Sequence, residues 1–417
     1  MLSTKQLEYL AACNHRWNFK IGATGSGKSW LDYAVVIPKR LLALRGEGAA
    51  VLLGHTQGTL SRNILDPMRE IWGEALVGTI SSDNTARLFG RKVYVLGADK
   101  RNQVARIQGM TIEYAYGDEV TTWNEDLFQM LKTRLRCAHS HFDGTANPAD
   151  PHHWLKKFID SGADIFCQTS TIDDNPTLDP TFVAQLKQEL AGTVYYNRFI
   201  LGQWCAAEGI IYRIFADSQA AHDGRFLWPR DKPLPAGTRV QIGVDFGGNG
   251  SQHAFVAVGI LPAAAGVVAL CSDRVDPKGT DTAFLAGKFL DFVRQVFAGW
   301  GEIHAVYCDS AEQVLKNSLR SALLASRFSW LAARVGNSKK IPINDRIRLT
   351  CILMGGGRFW VMPGAASLAE ALSTALWSGQ TPGQDQRLDD GTTDIDTLDA
   401  FEYTIERERA RLLRLAA

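Results

Sequence analysis

Two groups of residues in this sequence have types and spacings suited to chemistry: a glycine-rich stretch that ends in lysine, and carboxylates that close apolar runs. Gly22-Ala-Thr24-Gly25-Ser26-Gly27-Lys28-Ser29 fits GxxxxGK[ST] without a gap. Glycines in such a loop let several backbone N–H groups point into one cavity at a helix N-terminus, where they bind phosphate oxygens. Lys28 would reach the β- and γ-phosphates and Ser29 would hold Mg²⁺, which makes ATP with Mg²⁺ the expected cofactor. A phosphate loop needs a second metal contact, and Asp118-Glu119, at the end of the run 111–117, offers one. Asp118 would bind Mg²⁺ through water and Glu119 would polarise the attacking water. Alone, an Asp-Glu pair after a strand is usually a solvated turn. Downstream of a phosphate loop it points to hydrolysis rather than kinase chemistry.

Further residues extend this candidate site. Thr145 and Asn147, in Asp143-Gly-Thr-Ala-Asn-Pro148, are placed to sense the γ-phosphate and relay its loss. Gln6 lies upstream of the loop, and its amide could read adenine through paired hydrogen bonds. The plainer reading of Gln6 is an exposed helix residue. Arg101 and Arg106 are candidates for an arginine acting across a subunit boundary, and either also reads as an ordinary surface residue.

A second set of acids follows later in the chain. Gln241-Ile-Gly-Val-Asp245-Phe-Gly-Gly and Ala305-Val-Tyr-Cys-Asp309 each put an aspartate at a strand end. Asp396 and Asp399 lie one helical turn apart and share a face. Taken singly, each acid is more often a cap. Taken in the order strand, strand, helix, they could converge on two Mg²⁺ or Mn²⁺ ions, which favour carboxylate ligands. Such a pair activates water and stabilises the leaving oxygen of a phosphodiester.

The elements that must position these residues fall into two halves. Phe19–Gly22, Ala50–Gly54, Val93–Leu96 and Ile112–Tyr116 read as buried strands, and Lys28–Leu44 and Thr56–Ile71 as helices. Alternation of this kind predicts an α/β fold with a parallel, helix-covered sheet over residues 1–205. Residues 206–237 are rich in proline and glycine and read as a linker. Beyond them, 238–417 hold three strands in quick succession (Arg239–Val244, His253–Gly259, Val267–Asp273), expected to form an antiparallel meander. A helix (Thr282–Phe297), a fourth strand (Ala305–Cys308) and a last helix near Thr397–Leu415 complete this half.

Composition sets the bounds. The chain has 417 residues, 46% of them hydrophobic and 21% charged, which suits two domains of roughly 200 residues each. A net charge of +1 means that any grip on DNA would use local basic patches. The seven cysteines form no close pairs of the zinc-site kind and read as thiols in a reducing compartment. No signal peptide is visible, and the longest apolar stretch, around Gly259–Cys271, is too short to span a bilayer, so no membrane association is expected.

The ordered motifs resemble the terminase large subunit family of tailed phages, particularly its PBSX-like and SPP1-like branch. The resemblance runs through Gln6, the phosphate loop, Gly117-Asp-Glu119, Thr145-Ala-Asn-Pro148 and Thr169-Ser-Thr-Ile-Asp-Asp-Asn-Pro176. It continues through Gly202-Gln-Trp204, Val244-Asp-Phe-Gly247 and Asp399-Ala-Phe-Glu-Tyr403, which is similar to the family's DA-x-x-Y signature. It implies an ASCE-type P-loop ATPase domain followed by an RNase H-like nuclease domain with a mixed sheet. It also implies a motor that drives double-stranded DNA into a procapsid and cuts the concatemeric genome. The implied partners are the portal protein, a small terminase subunit and further copies in a ring, in the host cytoplasm and transiently at the portal vertex. Carried across, Lys28 and Ser29 bind nucleotide and metal, Asp118 supports Mg²⁺ and Glu119 is the base. Asp245, Asp309 and Asp399 would bind the nuclease metals, with Asp396 a less secure ligand. A DNA helicase or repair motor with an RNase H-like appendage would use the same ATPase residues. A sugar-kinase or actin-like reading of Val244-Asp-Phe-Gly-Gly leaves the phosphate loop unexplained, and a nucleotide-binding capsid-vertex protein would show no turnover.

Overall fold

The computed structural model describes residues 2–247, 251–277, 281–379 and 384–414. The chain divides into two compact units. The first comprises 1–179, 194–206 and 382–384, and the second comprises 180–193, 207–381 and 385–417.

The first unit is built on seven strands: β1 (Trp17–Gly22), β2 (Ala49–Gly54), β3 (Thr85–Leu88), β4 (Arg91–Gly97), β5 (Ile112–Gly117), β6 (His141–Ala146) and β7 (Ile165–Ser170). Their order is β3-β4-β2-β5-β6-β1-β7. All neighbours are parallel except β3 and β4, which form an antiparallel hairpin at one edge. Strand β1 is buried at every position, as expected for a strand covered on both faces. One face packs Trp17, Phe19 and Ile21 with Phe128 and Phe142, and the other packs Leu52, Val93 and Val95 with Ile37 and Ile64.

The helical stretch expected over Lys28–Leu44 forms in three pieces: an α-helix Lys28–Leu31, a π turn Asp32–Val36 and an α-helix Ile37–Leu42. The stretch expected over Thr56–Ile71 repeats the pattern, with a π turn at Ser61–Leu65. Each π turn stands just ahead of a proline, Pro38 or Pro67. Proline lacks an N–H and crowds the carbonyl one turn back, and a widened turn relieves both problems without ending the helix. The N–H groups of Ile37 and Asp66 accordingly donate to Asp32 and Ser61, one residue further back than in an α-helix.

The second unit has a six-stranded mixed sheet, ordered β12-β11-β8-β9-β10-β13. Strands β8 (Arg239–Asp245), β9 (His253–Ile260) and β10 (Val267–Val275) form the expected antiparallel meander. Strand β11 (Ile303–Cys308) runs parallel to β8, while β12 (Val335–Asn337) and β13 (Phe359–Val361) close the edges. The helix Thr282–Trp300 buries Leu285, Phe289, Phe292 and Val296 in the core of this unit. The last helical segments are Ile395–Ile405 and Arg409–Arg414. Leu415 lies outside the described residues.

Within the stretch 206–237, expected to be a linker, residues 211–228 are anchored in this unit, while 229–237 are largely exposed. Arg213–Ala221 is a helix, Ile211 N–H donates to the Ala375 carbonyl at 2.8 Å, and Phe215 lies against Phe226 and Phe359. The clustered prolines at 229–235 hide this, because the apolar residues that anchor the stretch precede them. Residues 180–193, expected in the first half, also fall in the second unit, where a Cβ on Gly355 would strike the Glu189 backbone.

Glycine sets the closest approach in the second unit. A Cβ on Gly243 of β8 would fall on the Ala400 carbonyl of the helix Ile395–Ile405. Gly243→Ala is therefore expected to lower the unfolding free energy by roughly 1–3 kcal/mol or more through overpacking. Thermal unfolding of the full chain checks this, and an unshifted transition would show that the helix can move away freely.

Candidate functional site

Three parallel strands bring the first set of residues together. β1 runs into the phosphate loop, β6 carries Thr145 and leads to Asn147, and β5 ends beside Asp118-Glu119. Since β6 pairs with both β5 and β1, their C-terminal ends lie side by side. The loop turns on Gly25 and Gly27, at φ 74° and 83°. Both values lie in the left-handed region, where only glycine is unstrained. Gly22 serves close packing instead, because a Cβ there would meet the Ser170 carbonyl of β7. A Cβ on Gly202 (φ 66°) would meet the same carbonyl and the Gly22 backbone, so two glycines far apart in sequence leave room for the Ser170 carbonyl.

Lys28 is held at the centre. Its Nζ donates to the carbonyls of Gly22 (3.0 Å) and Ala23 (2.6 Å), to Ser26 Oγ (3.4 Å) and to Asn147 Oδ1 (3.3 Å). Burial pulls the ammonium down to about 8, against the fields of Glu119, Asp118 and Asp32, which favour its charged form. Ser29 follows in the first turn of the same helix, half-buried. Thr24 is fixed by its N–H, which donates to the Phe199 carbonyl at 3.0 Å.

Asp118 is 2% exposed. It accepts from Asn63 Nδ2 (3.2 Å) on one oxygen and from Thr145 Oγ1 (3.3 Å) on the other, and burial pushes its carboxyl above the usual range. Glu119 adopts φ 51°, ψ 51°. This left-handed conformation costs of order 1–3 kcal/mol for a non-glycine residue and is characteristic of functional sites. Gln6 lies against the loop: Nε2 donates to the Gly27 carbonyl (3.2 Å), and Oε1 accepts from Ser3 N–H in a capping box. Arg101 is exposed and paired with Asp126 at 3.1 Å, and Arg106 is exposed on the short helix Val104–Ile107. Among the described residues, no contact brings either arginine to Lys28. Sequence reasoning missed Asn63 as a partner of Asp118, and Asn175, whose Nδ2 donates to the Gly25 carbonyl at 2.6 Å.

The second set of acids gathers where β8 and β11 end. Asp309 N–H donates to the Val244 carbonyl at 3.1 Å, so Asp245 and Asp309 leave neighbouring strand ends. The helix Ile395–Ile405 lies over β8 and presents Asp399 and Tyr403, whose hydroxyl donates to Asp245 Oδ1 at 3.0 Å. Burial pushes the Asp245 carboxyl up to about 8, helped by the charges of Asp399, Asp396 and Asp309. Asp396 accepts from the Gln252 N–H at 2.8 Å. Two of the acids are paired with bases: Asp309 with Lys340, and Asp399 with Arg387 and with Arg346 at 3.3 Å. Both arginines also bind Glu402, which is fully buried. Among the described residues no group of three or more His, Cys, Asp or Glu side chains stands close enough to hold a metal ion. Sequence reasoning missed Lys340, Arg346, Arg387 and Glu402. No described helix is long and apolar enough to cross a membrane, and all seven cysteines are free.

The first unit thus has the fold and loop of a P-loop nucleotide-binding domain. Residues 21–218 match the family model described as terminase large subunit, T4likevirus-type, N-terminal. The chain also matches the solved large terminase of a thermophilic bacteriophage, with a TM-score of 0.77 and 20% identity over 98% of this chain and 99% of that one. The ADP complex of that phage protein matches with a TM-score of 0.76 and 21% identity, covering 97% of this chain and 98% of that one. Its ATP-gamma-S complex matches with a TM-score of 0.75 at the same identity and coverage. No curated protein matches the sequence. The family match and the shared fold bear out the resemblance to terminase large subunits, with residues 21–218 matching the N-terminal model of that family. The matched model is of the T4likevirus type, a different label from the PBSX-like and SPP1-like branch suggested by the motifs.

The lowered Lys28 yields a pH dependence. Its ammonium is charged below about 8 and neutral above, so the attraction for phosphate is present at lower pH and lost as pH rises. Titration with a fluorescent ATP analogue should show level affinity up to about pH 7 and weakening through about pH 8. Affinity that holds steady to about pH 10 would mean that another group supplies the charge.

Proposed function

We propose that this chain is an ATP-driven DNA-packaging motor whose second unit is a metal-dependent nuclease. The observation that carries the motor reading is the position of Lys28, bonded to Asn147 and lying in the fields of Asp118 and Glu119, inside a segment that matches terminase large subunits. The thermophilic phage terminase, solved in complex with ADP and with ATP-gamma-S, supports nucleotide binding by this chain.

In this reading the loop backbone from Gly22 to Ser29 cradles the phosphates, and Lys28 leaves the loop carbonyls to meet them. Ser29 and Asp118 would hold Mg²⁺, which neutralises charge on the phosphates. The surroundings of Asp118 fit that role: it is buried, and its side chain accepts hydrogen bonds from the neutral Asn63 and Thr145. Glu119 orients and deprotonates the attacking water. Thr145 on Asp118 and Asn147 on Lys28 connect both sides of the site to β6 and would report loss of the γ-phosphate. Gln6 would read the adenine edge after releasing Gly27. Arg101 or Arg106 would act on a neighbouring copy in a ring at the portal, with double-stranded DNA and a small terminase subunit as partners.

For the second unit, the mixed sheet with Asp245 and Asp309 at adjacent strand ends supports an RNase H-like nuclease. The donor set is all carboxylate, which suits Mg²⁺ or Mn²⁺. Asp245, Asp309 and Asp399 would hold the ions, with Asp396 also at hand. Bound there, a metal pair activates water and stabilises the leaving oxygen of a phosphodiester. Lys340 must first leave Asp309, and Asp399 must turn from Arg346 and Arg387, before these side chains can share an ion.

Glu119→Gln should bind an ATP analogue like the parent and lose DNA-stimulated phosphate release by roughly 10²–10⁴-fold, the usual contribution of a general base. Turnover at the parental rate would remove Glu119 from that role. Asp245→Asn should abolish Mn²⁺-dependent nicking of plasmid DNA and leave ATP turnover within about twofold. Persistent nicking would sink the nuclease reading and leave the motor intact.

A further inference from the structure

A buried ionic group lies behind the phosphate loop, and none of the roles above uses it. Lys20 of β1 is 3% exposed, and Asp32 of the π turn and Asp143 of β6 are 0% exposed. One Asp32 oxygen lies 2.7 Å from Lys20 Nζ, and the other accepts from the Tyr116 hydroxyl at 3.3 Å. Asp143 is held by Arg40 Nε at 2.8 Å and by the Tyr9 hydroxyl at 3.2 Å. Lys20 Nζ sits 3.8 Å above the Tyr9 ring, which joins the two pairs.

The partners are spaced to reach the site. Side chains in a strand return to the same face every second residue. Lys20 is two positions before Gly22, Tyr116 two before Asp118, and Asp143 two before Thr145. Asp32 lies one turn beyond Lys28, and Ile37 N–H closes the π turn onto its carbonyl. Its carboxylate therefore bridges the strand that enters the loop and the strand that ends at Asp118. Buried ion pairs contribute little to stability compared with well-packed apolar residues. What this pair adds is direction: the Asp32 carboxylate, ion-paired to Lys20 through one oxygen and accepting from the Tyr116 hydroxyl through the other, sets the helix in rotation and height against β1 and β5.

We propose that Asp32 is a positioning residue for ATP hydrolysis. Through Lys20 and Tyr116 it ties the helix bearing Lys28 and Ser29 to the strand ending in Asp118, so that the two Mg²⁺ contacts keep one spacing. This rests on the ATPase reading given above.

The test uses the full chain with Lys20→Met and Asp32→Leu together, which removes both charges and leaves neither unpaired. The double variant is expected to unfold within a few degrees of the parent, to bind a fluorescent ATP analogue with a Kd changed less than about threefold, and to lose kcat by roughly 100-fold, the scale of a 1 Å misplacement. Its half-saturating Mg²⁺ concentration should rise. A kcat and Mg²⁺ requirement both within about twofold of the parent would overturn the proposal, because stability alone would then explain the pair. Should the double variant not fold, Tyr116→Phe removes a single hydroxyl: a several-fold lower kcat with a raised Mg²⁺ requirement supports the proposal, and unchanged values overturn it. An inactive parent, or full turnover by Glu119→Gln, would instead count against the ATPase reading, so the two failures are distinguishable.

Discussion

Backbone hydrogen bonding among β5, β6 and β1 holds the ends of three neighbouring strands side by side and in register. Tyr116 stands opposite Asp143, and Lys20 opposite Thr145. The loop, the acid pair and the Thr145–Asn147 segment therefore begin from fixed points, and short side chains suffice to connect them. Lys28 reaches Asn147 and Thr145 reaches Asp118 without any long connection. The tight seat of Gly22 and Gly202 against the Ser170 carbonyl anchors the loop's first residue to β7 on the other side of β1. A ladder that slipped by one residue would turn every one of these side chains to the opposite face.

Given that frame, the local irregularities have clear functions. Glu119 occupies a strained left-handed conformation immediately after Asp118, so the two successive acids need not alternate in direction as they would in a strand. The Trp123 indole donates to the Asp118 carbonyl at 2.9 Å and Thr122 Oγ1 donates to the Glu119 carbonyl at 2.8 Å, which brace the turn. The π turn at Asp32 similarly admits Pro38 without breaking the helix, and it sets Asp32 where Lys20 and Tyr116 can both reach it.

Much of this frame was legible in the residues. β2 is a continuous apolar run, β1, β4 and β5 are apolar runs broken by few polar residues, all four are closed by glycine, and the phosphate loop and Asp118-Glu119 follow directly from spacing. β7 was not legible, because its residues are only half-buried at the sheet edge and lack a continuous apolar run. β12 and β13 are three residues each, too short for any period to register. The helix Arg213–Ala221 was obscured by the prolines that follow it. Asn63 and the Lys20–Asp32 pair act through partners outside their own element, and no local pattern marks them. In the second unit, Asp245, Asp309 and Asp399 could be named from strand and helix ends. Their cationic neighbours could not, since Lys340, Arg346 and Arg387 come from separate segments.

The two units treat buried charge differently, and the difference bears on the second set of acids. Behind the phosphate loop, Lys20 and Arg40 match Asp32 and Asp143, so the group is neutral without outside help. In the second unit, Arg346 and Arg387 balance Asp399 and Glu402, and Lys340 balances Asp309. No cationic side chain among the described residues is paired with Asp245 or Asp396. Carboxylates crowded in a largely buried setting cannot all ionise at low cost, and the Asp245 carboxyl, pushed up to about 8 first by burial and then by the charges of Asp399, Asp396 and Asp309, expresses that cost. A proton held on Asp245 settles it one way. A divalent cation would settle it another way, by matching the surplus negative charge, and it would at the same time give Asp309 and Asp399 a stronger partner than the flexible ammonium and the shared guanidinium groups they now face.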